Sequence, residues 1–399
     1  MLLNVERARA VMEHEGLDGL VASTLENIFY LSGMWQLGVE LFPYDDQCYV
    51  VANHERPDGG VVVSSMGDAD LTLQAYPSIG GVITYSSFFR ELAPGVELLE
   101  DERRLKEITL DRAPKADAME ALAAAIEACG LTRGALGVDE RGANRALLDE
   151  LSRQFSQLQI KPASQIFRQI RMVKTSEEHE RLVGALRATE YALRAAVDAA
   201  REGVTERDLF TVFERAIVEA GARPGFALIR FGRNMALGQV PSGDTALRKG
   251  DYLWFDVGCT KQGYRSDIGR IIAFGEPSER LRRLHHASKE GQTRAIELMK
   301  PGRPARDVFN AAVERVKECG IANYRRHHVG HGVGIEYYDP PILAARTETP
   351  LEAGMVFEVE TPYYELGFGG AFIEDTVLVT DDGARILTAL DRELQVIGA

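Results

Sequence analysis

The sequence predicts an α/β domain over residues 1–165, followed by an α+β domain over residues 166–399 built as a pseudo-twofold repeat. Three observations predict it. Helix and strand signals alternate through the first part, a sequence pattern recurs in register in the second, and carboxylates there sit within apolar β-type runs. A chain of 399 residues with 45% hydrophobic and 27% charged side chains is long and apolar enough for two globular domains.

In the first part, NVERARAVMEHEG (Asn4–Gly16) has helical spacing and a glycine stop. DGLVAS, NIFYLSG, QCYVVAN and GGVVVSS read as strands, ADAMEALAAAIEACG as a helix, and GALGVDE as a further strand. The aromatic-rich WQLGVELFPYDDQ (Trp35–Gln47) reads as core or hairpin packing. The domain boundary falls near Gln165, ahead of FRQIRMVKTSEEHERL, in which Thr175 and Glu178 have capping-box spacing. Arg168, Arg171 and Lys174 read as a solvated face, and Val183 to Gly221 as two amphipathic scaffold helices.

The repeat is visible in two places. LRKGDYLWFD (Leu247–Asp256) and LEAGMVFEVE (Leu351–Glu360) share Leu-x-x-Gly and end on an acid at the same offset. Upstream, GVTERDLF (Gly203–Phe210) and GRPARDVF (Gly302–Phe309) share Gly, Arg, Asp and Phe, and each following helix closes on a glycine, Gly221 or Gly320. Two helices and a carboxylate-bearing hairpin, used twice, predict a functional centre on the pseudo-twofold axis.

That centre draws on Asp256, Asp267, His331, Glu360 and Glu374. The strands YLWFDVG and YRSDIGRIIAF form a hairpin across Lys261, Gln262 and Gly263. The hairpin should hold Asp256 and Asp267 as cross-strand neighbours with Cβ atoms about 4.5–5.5 Å apart. Burying several ionised carboxylates costs several kcal/mol each unless they are paired or bound to cations. No matching set of Lys or Arg lies in those strands, so a metal cluster is the economical partner. Hard oxygen ligands with one imidazole suit divalent Mn, Co, Zn or Fe, and bridging carboxylates hold two such ions about 3.5–4 Å apart, where a bridging water becomes a hydroxide nucleophile.

These residues resemble the pita-bread metallohydrolases, the group of methionine aminopeptidase, aminopeptidase P, prolidase and creatinase. The motifs that carry the resemblance are Asp256 in DVG, Asp267 in SDIGR, His331 in GHGVG, Glu360 in VETP and Glu374 in IEDTVLVT, in the family's order, over about the last 235 residues. The resemblance implies that Asp256 chelates one ion, His331 and Glu360 serve the other, and Asp267 and Glu374 bridge. It makes Glu360 the general acid/base as well as a ligand, and it gives His327, in H-x-x-G-H, a contact with substrate or oxyanion. ENIFYLSG and the layout of the first part resemble the N-terminal domain of prolidase and creatinase relatives, in which the region around Trp35–Gln47 makes a dimer contact.

The chain departs from the family at substrate-facing positions. No His lies in GRNMALGQVPSGDTALRKGD, where Arg233, Asn234 and Gln239 are the polar candidates. Tyr338 stands in place of a second His, and Phe372 in place of an Arg that meets a substrate carboxylate. Tyr338, Arg233 and Phe372 are therefore the candidate substrate contacts. Arg230, Arg233 and Arg346 are the candidate replacement cations.

The function this predicts is hydrolysis of Xaa-Pro dipeptides by a dinuclear centre of Mn, Co or Zn. Two alternatives stand beside it: a pita-bread hydrolase or lyase acting on a small non-peptide substrate such as ectoine or dimethylsulfoniopropionate, and a metal-free binding module. A formal net charge of −14 argues against nucleic-acid and anionic-membrane partners. With no membrane-spanning run or signal-peptide core, a cytoplasmic protein is expected, and the family resemblance implies a homodimer. Cys48, Cys129, Cys259 and Cys319 have no C-x-x-C spacing and read as reduced thiols, with Cys259 a small hydrophobe in a turn.

Overall fold

The computed structural model describes residues 1–398 and separates into two units, Met1–Arg171 and the chain from Met172 on. The first contains, in order, α1 (Val5–Glu15), β1 (Gly19–Ala22), α2 (Leu25–Ser32), α3 (Leu37–Leu41), β2 (Tyr49–Asn53), β3 (Val61–Ser65) and β4 (Gly81–Tyr85). It continues with α4 (Glu100–Thr109), α5 (Ala118–Ala128), β5 (Gly134–Val138), α6 (Arg145–Gln154), β6 (Leu158–Pro162) and α7 (Ser164–Arg171). Its sheet runs β4-β3-β2-β1-β5-β6 with mixed parallel and antiparallel pairing. Leu122 and Ile126 of α5 and Leu147 and Leu151 of α6 bury against its strands.

Four expectations are corrected here. The unit closes at Arg171 rather than Gln165, because α7 buries Phe167 and Ile170, and the buried Arg171 guanidinium donates to Asn27 Oδ1 at 2.5 Å. Arg171 and Lys174 do not lie on a solvated face: both are buried, Lys174 paired with Asp339 at 3.2 Å, as a desolvated cation requires. NIFYLSG is the helix α2, not a strand. Every residue from Asn27 to Ser32 is buried, so the run shows no helical period, and a short apolar run cannot be told from a strand by pattern alone. Within Trp35–Gln47, Leu37, Leu41, Phe42 and Tyr44 are exposed rather than packed in a core.

The second unit opens with α8 (Ser176–Asp198), α9 (Glu206–Glu219), β7 (Arg223–Phe231), β8 (Tyr252–Lys261), β9 (Tyr264–Arg265) and β10 (Ile268–Phe274). Then come α10 (Glu279–Leu298), α11 (Ala305–Glu318), β11 (Gly330–Gly332), β12 (Asp339–Ile342), β13 (Val356–Glu360), β14 (Tyr363–Glu365), β15 (Gly369–Ala371) and β16 (Glu374–Val379). The main sheet runs β12-β11-β13-β16-β10-β8-β7. Thr175 caps α8 in a reciprocal box with Glu178, as its spacing predicts.

The sequence repeat is a backbone repeat. Gly203 N donates to Leu247 O at 2.9 Å and Gly302 N to Leu351 O at 2.8 Å; Leu247 N returns to Val204 O at 2.8 Å and Leu351 N to Arg303 O at 2.9 Å. Gly250 and Gly354, with φ of 91° and 88°, make the same left-handed turn into β8 and β13. Each copy's helix has 14 residues, and Gly221 and Gly320 follow the cap with positive φ. α8 and α9 pack on β7, β8 and β10, whereas α10 and α11 pack on β13 and β16.

One position fixes the approach of the loop that carries Asp267. A Cβ on Gly258 would lie 2.1 Å from the backbone oxygen of Ser266, and backbone cannot yield as a flexible side chain can. Gly258→Ala is expected to destabilise the protein by about 1–3 kcal/mol, read as a lower urea midpoint. An unchanged midpoint would show that the strands part at no cost.

Candidate metal centre

Alternation along each strand sorts the carboxylates onto one face. In β8, Leu253, Phe255, Val257 and Cys259 enter the core under α8 and α9, which turns Trp254 and Asp256 to the other side. Cys259 is therefore a core strand residue, not a turn residue. In β13, Phe357 and Val359 enter the core under α10 and α11, so Glu358 and Glu360 face away from it; Val377 and Val379 do the same for Glu374 and Thr376 in β16. The neighbouring Asp375 lands on the helix side, where Arg270 and Arg392 neutralise it at 2.5 and 3.2 Å.

Register then lines the face up across four strands. Glu360 pairs with Glu374, Glu374 with Gly269, and Gly269 with Asp256. A Cβ on Gly269 would lie 2.2 Å from the Phe372 ring, so only glycine fits between Glu374 and Asp256. Asp267 precedes β10 and stands two residues from Gly269, on the same side, so it is the diagonal rather than the direct partner of Asp256. This corrects the expected side-by-side pair to a spacing of about 7–8 Å between backbones. His331 on β11 pairs with Glu358.

Donor atoms of Asp267, His331 and Glu374 lie within 4.8 Å of one another, all three residues buried. The His331 Nδ1 sits 3.1 Å from Gly332 O, which fixes the proton on Nδ1 and leaves Nε2 as the donor atom for a ligand. Burial holds this imidazole neutral, its pKa lowered to about 4. Asp256 and Glu360 complete the row. Glu360 has the His328 Nδ1 at 3.1 Å and the Arg326 guanidinium at 3.6 Å.

The electrostatics show what the cluster lacks. Burial first, and Glu360 second, raise Asp256 to about 8. Burial and the Asp256 charge push Asp267 well above the carboxylate range, and burial and Asp267 do the same to Glu374. Burial raises Glu360 to about 7 against the opposing pull of Arg326. Among the described residues, no Lys or Arg is ion-paired with the side chains of Asp256, Asp267 or Glu374, and the buried Asp267 Oδ1 has no hydrogen-bond partner. A hard-oxygen set with one imidazole, short of positive charge, fits divalent cations.

Other expected contacts fall in different places. His327 is exposed, its ring edge against His328 at 4.2 Å, so the buried imidazole beside Glu360 is that of His328. Tyr338, half-exposed, stacks on His331 at 3.7 Å and 18°. Phe372 is buried against Trp254 at 5.9 Å and does not face solvent. Arg233, Gln239 and Arg346 are exposed, and Asn234 donates to Glu206 and Thr245. Arg230 is committed to the Val240 and Pro241 carbonyls and to Glu206 at 3.5 Å.

Sequence reasoning passed over Glu358, His328, Arg326 and Tyr364. Glu358 is wholly buried, its Oε1 accepts from Thr376 at 3.2 Å, and its Oε2 has no hydrogen-bond partner among the described residues. The signal was there: in FEVE it shares the parity of Glu360.

This fold, with five donors on one face of a duplicated sheet, is that of a pita-bread metallohydrolase. Residues 180–381 match the model of metallopeptidase family M24, and residues 4–173 match the creatinase/prolidase N-terminal domain. The chain belongs to family M24 and is an enzyme of the metallopeptidase class. It is 36% identical over 238 residues to a Pyrococcus furiosus protein named Xaa-Pro dipeptidase, a match that spans 59% of this chain and 68% of that one. Its fold superimposes on prolidase from P. furiosus with a TM-score of 0.73, 25% identity and coverage of 96% and 99% of the two chains. On dipeptidase PepE from Mycobacterium ulcerans the TM-score is 0.75, with 27% identity and coverage of 98% and 96%. Among the described residues, no helix is long and apolar enough to cross a membrane.

The raised carboxyl pKa values carry a sign. A carboxyl that binds its proton more tightly when folded stabilises the protein at low pH and loses that contribution as pH rises through the folded value. The lowered His331 and His328 act in the opposite sense, but only below about 6.5, where the unfolded imidazole protonates. Between pH 7 and 8 the raised carboxyls, Glu178 at about 7 among them, outweigh the fading imidazole contribution. Metal-stripped protein is expected to lose stability across that window, by about 1.4 kcal/mol per pH unit for each carboxyl still protonated. Added Mn, Co or Zn should flatten the slope in thermal melts. A metal-free melting temperature independent of pH there would refute this account of the cluster.

Proposed function

We propose that the protein is an Xaa-Pro dipeptidase that hydrolyses the amide bond before a C-terminal proline with the help of two divalent ions. The observation that carries this reading is the complete donor row, Asp256, Asp267, His331, Glu360 and Glu374, in a chain whose catalytic half resembles a relative named Xaa-Pro dipeptidase. Asp256 would hold one ion, His331 and Glu360 the other, with Asp267 and Glu374 between them. When bound, such ions supply Lewis acidity at the amide carbonyl and lower the pKa of water.

The chain's own groups supply the rest. Glu360 carries the proton: its carboxyl, 3.6 Å from the Arg326 guanidinium, takes a proton from the attacking water and delivers it to the departing proline nitrogen. His328, neutral because burial lowers it to about 3, lies with its Nδ1 3.1 Å from Glu360 Oε1 and does not compete for that proton. Tyr338 backs the His331 ring and fixes its plane. The retained donors weigh against a metal-free binding module. Hydrolysis of a small non-peptide amide such as ectoine is the second reading, favoured by Tyr338 and Phe372 where the family pattern has His and Arg.

Purified protein, chelated and then given Mn, Co or Zn, is expected to cleave Ala-Pro, Leu-Pro and Met-Pro but not a tripeptide Xaa-Pro-Xaa or ectoine. Silence on every peptide with metal bound would overturn the dipeptidase reading, and turnover of ectoine would establish the second one. Asp267→Asn and Glu374→Gln should each abolish hydrolysis and lower the metal content measured by elemental analysis. Glu360→Gln should reduce kcat by about 100-fold or more even where metal is retained, the loss of a general acid/base.

A further inference from the structure

We infer that Arg326 is the anchor for the carboxylate of the substrate's C-terminal proline. The inference rests on the Xaa-Pro reading above and names the group that recognises that end of the dipeptide. Of the arginines that the sequence offers for the task, Arg230 is spent on backbone carbonyls and Glu206, and Arg233 and Arg346 are exposed. Arg326 stands at the cluster itself. Its side chain is only 14% exposed, its Nη2 is 3.6 Å from Glu360 Oε2, and its guanidinium lies 5.9 Å from the Tyr364 ring.

Two features suit it to an anion brought from outside. Among the described residues its buried Nε has no hydrogen-bond partner, and Glu360 is its sole ion-pair partner. Glu360 is also a member of the metal-ligand row, so cations in the centre would draw off the one counter-charge that Arg326 has. A largely desolvated guanidinium is then left wanting an anion, and its planar fork matches a carboxylate with two parallel donors.

Position agrees with chemistry. The leaving nitrogen of an Xaa-Pro dipeptide takes its proton from Glu360, and the proline carboxyl carbon is two bonds from that nitrogen. A group touching Glu360 therefore borders the place where the carboxylate falls. Tyr364, beside the Arg326 guanidinium, and Tyr338, beside His328, are both partly exposed and would offer aromatic surface to the pyrrolidine. A tripeptide would place a neutral amide where Arg326 requires charge.

The test compares Ala-Pro with alanyl-prolinamide in wild type, Arg326→Gln and Arg326→Lys, each with metal content and thermal midpoint measured. Wild type should prefer the acid over the amide in kcat/KM, and Arg326→Gln should lose about 10- to 100-fold of that preference, mostly through KM, as removal of a charged hydrogen-bonding partner does. Arg326→Lys should recover part of it. Calorimetry with L-proline should show binding to metal-loaded wild type and weaker binding to Arg326→Gln. An acid-over-amide ratio unchanged in Arg326→Gln overturns the assignment, since loss of a merely structural arginine would weaken both substrates alike. If wild type cleaves neither compound the dipeptidase reading fails, and the anchor is judged on L-proline alone: no binding, or equal binding by the variant, overturns it.

Discussion

Like charge crowded on one buried sheet face is the constraint on which the catalytic unit depends. Glu360, Glu374 and Asp256 stand in a row across β13, β16, β10 and β8, with Asp267, His331 and Glu358 beside them. Burial and neighbouring acids drive Asp256, Asp267 and Glu374 upward, burial alone raises Glu360, and the Arg326 guanidinium opposes the rise only at Glu360 and Asp256. Such a face can be neutralised by protons or by multivalent cations. The donor set favours the second, as membership of a metallopeptidase family implies.

Duplication is how the chain builds that face. Each copy places a helix start against the turn before its carboxylate strand through the same pair of backbone hydrogen bonds, and each enters that strand through a left-handed glycine. The helices bury the apolar parity of the strands, so the acidic parity has one remaining direction. Gly269 then lets the two halves approach without a side chain between the acids, and Gly258 admits the loop that carries Asp267. The acids are thus held by the core rather than by one another, which allows the protein to store their repulsion.

The mouth of the centre differs from the pattern its family resemblance leads one to expect. Phe372 lies in the core against Trp254, Tyr338 lies over His331, and the guanidinium beside Glu360 is that of Arg326, on the segment leading into the GHGVG turn. Under the Arg326 proposal, recognition of the substrate carboxylate moves from a strand of the sheet to the chain beside Glu360, next to the group proposed to handle the proton.

The sequence by itself determined most of the frame. Periodicity, capping residues and the repeated Leu-x-x-Gly pattern fixed the helices and carboxylate strands of the second unit, because these signals are local and each copy carries them in full. The donor identities were legible for the same reason: acids inside apolar runs are costly enough to mark function. Tertiary structure alone decided what depends on neighbours distant in sequence. It made NIFYLSG a helix by burying it on all sides, and buried Arg171 and Lys174 by supplying Asn27 and Asp339. It set Asp267 diagonal to Asp256, and chose His328 over His327 by turning one imidazole inward. A charge reads as solvated until its partner is known, and the partner of Arg326 is 34 residues further along, on β13, where only the tertiary fold brings it.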